Sequence, residues 1–229
     1  MAKFEEIHWP RILIEGVVIV ASILLALAGD AWWDSVQERA VERNVLSAIS
    51  AEFEINLEIL AKTRRSHRSA LSATQTVISA SQSDSFDADV HEASIPSRVV
   101  STPHYNPATG ALAAAIGSGQ IGLIRNIELK NRLAGWDAII SDLVIDEQTR
   151  RDFVNHELRP ALAEFGVGGG YVTTQLPSAD IREALKSRQL LAYLNGQIDQ
   201  ITHIITHFDD VEAATQAMIA DISEELGSL

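Results

Sequence analysis

The sequence predicts an all-α protein: a single N-terminal transmembrane helix continuous with a long stalk helix, followed by an antiparallel helical bundle. Three observations carry that reading. Residues 10–33, PRILIEGVVIVASILLALAGDAWW, form one apolar stretch bracketed by Trp9 and the pair Trp32–Trp33. Residues 34–80 hold neither proline nor glycine and repeat their apolar side chains at 3–4 spacing. No segment alternates as a half-buried strand would.

The first element is the anchor. From Trp9 to Trp33 a helix rises about 36 Å at 1.5 Å per residue. That crosses a hydrocarbon core about 30 Å thick and leaves indoles at both headgroup layers. Pro10 suits the first helical turn, where its missing N–H costs no bond. The uncharged run 16–29 is shorter than the roughly 17–25 residues of a span, so Ile12–Ile14 and Glu15 must also enter the membrane. A cleaved signal is the competing reading, because 16–28 has the length of its apolar region and Ala26-Leu27-Ala28 the shape of its cleavage site. Against it stand the acid inside the apolar run, an N-terminal region (the tail 1–9 and Arg11) in which Lys3 and Arg11 are offset by Glu5 and Glu6, and a helical pattern that continues past Trp33. The anchor is expected to be retained. Lys3 and Arg11 on one side tie with Arg39 and Arg43 on the other, and the α-amino group tips the balance toward an N-terminus inside and the bulk of the chain exported.

Of 229 residues, about 195 follow the anchor, enough for one helical core. The net charge of −13 is uneven, with −6 in residues 166–229 alone, which disfavours nucleic acid as a partner. With no cysteine, disulfides and thiolate metal sites are excluded.

In the stalk, 34–80, the stripe Leu46, Ile49, Phe53, Leu60, Ala70 and Val77 is completed by Asn56, Thr63, His67 and Thr74. Residues 81–107, rich in Ser, Asp and Pro, read as a loop. The remainder, 108–229, is expected to form the bundle with the stalk. It begins with a short helix over 108–117 and a glycine turn, GSGQIGLIR. Asn126 caps the next helix, whose face is Leu129, Leu133, Trp136, Ile140 and Leu143 and which runs toward Phe165 with a kink at Pro160. GVGGG at 166–170 stops it, and Ser178 with Asp180 starts the last helical region. There a heptad seam runs through Leu191, Leu194, Ile198, Ile201, Ile205, Phe208, Glu212, Thr215, Ile219, Ile222 and Leu226. Glu212 and Thr215 interrupt it and are candidates for setting register or partner choice.

The pieces LIEGVVIVASILLALAGDAWWD (13–34), AEFEINLEIL (51–60) and IGSGQIGLIRNIELKNRLAGW (116–136) resemble an uncharacterised family of bacterial inner-membrane proteins with one N-terminal span. The resemblance implies an uncleaved anchor in the inner membrane and brings no catalytic residues with it.

Four groups of residues have chemistry to offer. Glu15 is an acid at membrane depth, and Ser22, Ala26 and Gly29 continue its face as small residues that let helices approach closely. Several Glu15 carboxyls meeting in an oligomer would carry protons or cations, a layout similar to that of proton-driven biopolymer-transport proteins. Pairing with Arg11 one turn back is the simpler expectation. Asp199, His203, His207 and Asp210 share one helical face, and histidines four apart can chelate a divalent metal with a nearby carboxylate. They also lie opposite the expected seam, where solvation alone explains them, and no cofactor is expected. The basic cluster Lys62, Arg64, Arg65, His67 and Arg68 is expected to face acids such as Asp142, Asp146 and Glu147 on a neighbouring antiparallel helix. Gly117–Gly122 with Arg125 lacks the strand and the Gly-Lys-Ser/Thr ending of a phosphate loop. The sequence therefore points to a non-enzymatic membrane-anchored scaffold or interaction protein that self-associates or binds a membrane or exported partner. An ion-conducting component built on Glu15 and an exported ligand-sensing bundle are the alternatives.

Overall fold

The computed structural model describes residues 9–82, 95–165 and 184–229, with the side chains of residues 9–14 and 95–96 excepted. The tail 1–8, the GVGGG stop and the start at Ser178 and Asp180 lie outside the described residues, as do the side chains of Trp9 and Arg11. Everything described is helix or connection, with no strand among the described residues.

Helix α1 runs unbroken over Trp9–Ser81, 73 residues and about 108 Å. Anchor and stalk are one rod, as expected from a stretch with no helix-breaking residue after Gly29. Its lower part is bare: Val17, Val18, Ile19, Val20, Ile23, Leu24, Leu25 and Leu27 are each more than half exposed. From Glu42 to Thr74 one face is buried at alternating 4–3 spacing, through Leu46, Ile49, Phe53, Asn56, Leu60, Thr63, His67 and Ala70.

Within the expected loop, Ile95–Val99 is a short helix, α2. Residues 99–125 then run back along α1 in the opposite direction. Asn56 holds Ala108, Glu52 holds Ala111 and Leu112, and Glu42 holds Arg125. This return path contains α3 (Gly110–Gly117) and a 3-10 turn over Gln120–Leu123, entered through Gly119 at φ 77°, where only glycine is unstrained. The side chain of Asn126 accepts from the Leu129 N–H at 3.0 Å and caps α4 (Ile127–Ala134).

The expected single helix from 126 to 165 is divided. Gly135 separates α4 from α5 (Trp136–Phe153), and a Cβ there would meet the Asn131 carbonyl at 3.4 Å. The distortion expected at Pro160 appears one turn earlier, as a π turn over Val154–Leu158 ahead of α6 (Arg159–Glu164). Proline lacks the donor for an i→i−4 bond and crowds the turn before it, and the wider turn accommodates both. The last helix, α7, spans Arg188–Ser228 and is capped by Ser187, whose hydroxyl accepts from Leu190 N–H.

Two expectations about packing are corrected. Helix α5 runs parallel to α1, not antiparallel: Phe53 meets Trp136 with ring centroids 4.6 Å apart, and His67 meets Glu147 further along both. The return path, not a helix–helix turn, reverses the chain between them. Helix α7 is antiparallel to both. The α7 seam is also displaced. Its buried residues are Leu190, Leu194, Gln197, Ile201, Ile204, Phe208, Val211, Thr215, Met218 and Ile222. One of the two expected columns (194, 201, 208, 215, 222) is in place. The other (191, 198, 205, 212, 219, 226) lies one residue off, half-buried at the flank. Packing against α1 and α5 together centres the stripe earlier, and it takes in Gln197, which apolar periodicity passes over.

The core falls into two apolar clusters. One surrounds Phe53, Leu133, Leu143, Phe208 and Ile222; the other surrounds Val99, Val154, Leu158, Leu190 and Leu194. Between them lies a buried polar layer: His67, Thr74, Glu147, Arg150 and Gln197.

Candidate functional site

Two consecutive acids on α5, Asp146 and Glu147, point to different neighbours, as adjacent helix positions must. Four of the seven histidines converge on them.

Glu147 is fully buried. Oε1 lies 2.9 Å from His67 Nε2, while Oε2 accepts the Tyr105 N–H at 2.8 Å and lies 3.2 Å from His104 Nδ1. His67 is equally buried, and burial lowers its pKa below 6.5 despite the opposing pull of Glu147. A neutral ring donating through Nε2–H to the carboxylate follows, leaving Nδ1 as an acceptor without a partner among the described residues. Burial, helped by the Glu147 charge, pushes the Tyr105 hydroxyl up to about 12. Burial pulls Arg150 down to about 10, against the Glu147 charge that favours its ionised form. Arg150 Nη2 donates to the Ser101 carbonyl at 2.8 Å. One layer further, Gln197 Nε2 donates to both Thr74 Oγ1 and the Val99 carbonyl.

The partners at one end of these bonds are mostly backbone groups of residues 99–125. An irregular segment inside a bundle cannot satisfy its own N–H and C=O groups, so buried side chains must do so. Glu52 caps the N-terminus of α3 in the same way, and Asn56 makes a two-point clamp on Ala108. The polar gaps in the stalk stripe are thus occupied within the chain. The signal for Glu42 was present, four residues before Leu46 on the same stripe; Arg150 and Gln197 likewise fall on the 3–4 repeat from Leu143 and Leu194, a position their polar side chains hide from an apolar pattern.

Asp146 stands in contrast. Its Oδ2 lies 2.9 Å from His207 Nδ1 and 3.3 Å from His203 Nε2, and the two rings sit 4.4 Å apart. Yet Asp146 Oδ2 and His207 Nδ1 make no aligned hydrogen bond to any group described. The distances are short; the directions are wrong for N–H···O. The three ligand atoms lie within 4.8 Å of one another. Asp199 and Asp210, the carboxylates expected to join the histidines, are exposed and do not join them. On a helix they lie four residues before His203 and three after His207, and the acid that reaches the pair comes from across the groove.

The basic cluster is also rearranged. Arg64 reaches Asp209 at 2.6 Å and pairs with Glu212, both on α7, while His67 takes Glu147. Thr215 bonds back to the Val211 carbonyl. Glu212 and Thr215 are therefore engaged inside the chain. Along the anchor, the Ser22 hydroxyl donates to the Val18 carbonyl at 2.8 Å, Ala26 is exposed, and an added Cβ on Gly16 or Gly29 would meet nothing within 4 Å. Trp32 and Trp33 are exposed. Glu15 lies on the exposed part of α1, and its pairing with Arg11 falls on a side chain outside the described residues.

Comparison with protein-family models, curated proteins and solved structures finds no match for this chain.

Proposed function

We propose that this protein is a membrane-anchored helical scaffold, held by residues 10–33 and presenting its bundle to a protein partner or to other copies of itself. One observation carries the reading. The apolar stretch Val17–Leu27 is uncovered by the rest of the described residues, on the same helix whose continuation is packed as a bundle seam. Eight exposed aliphatic side chains, each worth about 1.5–3 kcal/mol on burial, need an apolar surrounding. A bilayer supplies it, with Trp32 and Trp33 at the interface. In this reading the N-terminus is cytoplasmic and the bundle exported. The small-residue face at Ser22, Ala26 and Gly29 joins copies through their anchors, and its hydroxyl is already satisfied, so close packing there carries no polar penalty.

The test is extraction and protease protection of the full chain in bacterial membranes. Retention after alkaline carbonate, with the bundle cleaved only when protease reaches the exported side, supports the reading. Release by carbonate, or a bundle protected on that side, overturns it. Cross-linking through cysteines introduced at Ala26 tests self-association; cross-links that form equally well at Leu25 would defeat the proposed face.

A further inference from the structure

Asp146, His203 and His207 bring one carboxylate oxygen and two imidazole nitrogens together from two helices. Three features separate this cluster from an ordinary surface ion pair. First, the 3.3 Å between His203 Nε2 and Asp146 Oδ2 is close to the edge of about 3.3–3.4 Å that tetrahedral ligands span around an ion bound at 2.0–2.1 Å. The 2.9 Å contact to His207 opens to that length with a small side-chain rotation. Second, Asp146 Oδ2 and His207 Nδ1 are buried atoms without an aligned hydrogen bond, so their mutual approach is not accounted for by N–H···O bonding. Third, His203 is 64% exposed, which leaves a direction open for a water or outside donor to complete four-coordination. The helix that supplies both histidines is acidic, with seven Asp or Glu residues against Arg188, which favours a cation.

We propose that Asp146, His203 and His207 form a divalent transition-metal site linking α5 to α7. Two imidazoles select borderline ions such as Zn²⁺, Co²⁺ or Ni²⁺ over Mg²⁺ and Ca²⁺, which prefer all-oxygen shells. Three protein ligands and one open position leave the ion reachable from solvent. Because the donors come from two helices, the ion would also hold α5 and α7 together. Neither helix alone supplies the set.

The experiment uses the full chain in detergent, purified without a polyhistidine tag, and titrates Zn²⁺ by calorimetry and Co²⁺ by its visible ligand-field bands. The expected result is one ion per chain and a higher melting temperature with Zn²⁺. Asp146→Asn should weaken binding more than about a hundredfold, beyond the loss of an outer-sphere contact, and His203→Ala and His207→Ala should do the same. Asp199→Asn and Asp210→Asn should leave binding unchanged. Circular dichroism without metal checks that each variant is folded, and Asp146, being partly exposed, tolerates asparagine. Wild-type affinity in Asp146→Asn would reduce the site to a two-histidine chelate on α7 and overturn the interhelical proposal. Absence of stoichiometric binding by the wild type would overturn it outright.

Discussion

Asp146 and Glu147 are neighbours in sequence, each approached by two histidines, yet they are opposite kinds of acid. Glu147 is sealed from water and accepts directed bonds from a ring and a backbone N–H, tied to a segment that has no other way to satisfy its polar groups. Asp146 is partly open, close to two rings and aligned with neither. Proximity of histidine to carboxylate therefore does not separate structure from ligand chemistry. Burial and bond direction do.

The largest way to break this contrast is Glu147→Ala, which removes the acceptor for His67 and Tyr105 at once. A loss of about 3–5 kcal/mol is expected in chemical denaturation, as for a buried charged network cut on one side. Asp146→Ala, measured without metal, should stay within about 0.5 kcal/mol of wild type. Equal effects would abolish the distinction.

Gln197→Leu sharpens the structural half. It deprives the Val99 carbonyl and Thr74 of their donor inside the core, and a loss of about 1–3 kcal/mol is expected. If leucine were neutral there, the polar layer would not be needed to hold the return path.

A graded effect comes with pH. The folded state lowers the pKa of His67 below 6.5, so below pH 6.5 the unfolded chain binds the extra proton more readily. The stability held above 6.5 should then decline as pH falls, and level off once the folded ring protonates too. Denaturation midpoints between pH 8 and 5 measure it, and His67→Gln should flatten the slope. An unchanged slope would place the acid sensitivity elsewhere.

Arg64→Ala should also have a small effect, under about 1 kcal/mol, because Asp209 and Glu212 remain partly in water. A loss as large as that of Glu147 would mean that the outer ion pairs, not the inner layer, fix α7 on α1.

The same contrast marks what the sequence could reveal. Local signals were readable: an unbroken helix where proline and glycine are missing, the Asn126 cap, the glycine turn at Gly119. Long-range direction was not. A short apolar connection and an irregular backbone reversing over residues 99–125 leave similar traces in composition, so α5 was expected antiparallel to α1. Polar side chains on the stripes were visible at Asn56, His67 and Thr74, but the acceptors of Asn56 and Thr74 are backbone groups, which carry no sequence mark, and that of His67 is a carboxylate on another helix. The histidine pair on α7 was legible as two donors on one face. Its carboxylate was sought on the same helix, at Asp199 and Asp210, because periodicity speaks only within one helix. Gln197 shifted the seam for a related reason: a buried amide is invisible to a pattern of apolar residues.

From Trp33 to Glu42, where the seam begins, α1 continues for nine helical steps, about 14 Å, with no glycine, proline or change of helix type. A shaft of that kind resists twist. The azimuth of the bundle about the anchor is therefore fixed, and the face with Asp146, His203 and His207 keeps one heading relative to Ser22, Ala26 and Gly29. Inserting a single residue in this collar would turn the bundle by about 100° while lengthening it by only about 1.5 Å. Phase, rather than reach, is what such a collar would transmit between the exposed apolar part of α1 and the bundle.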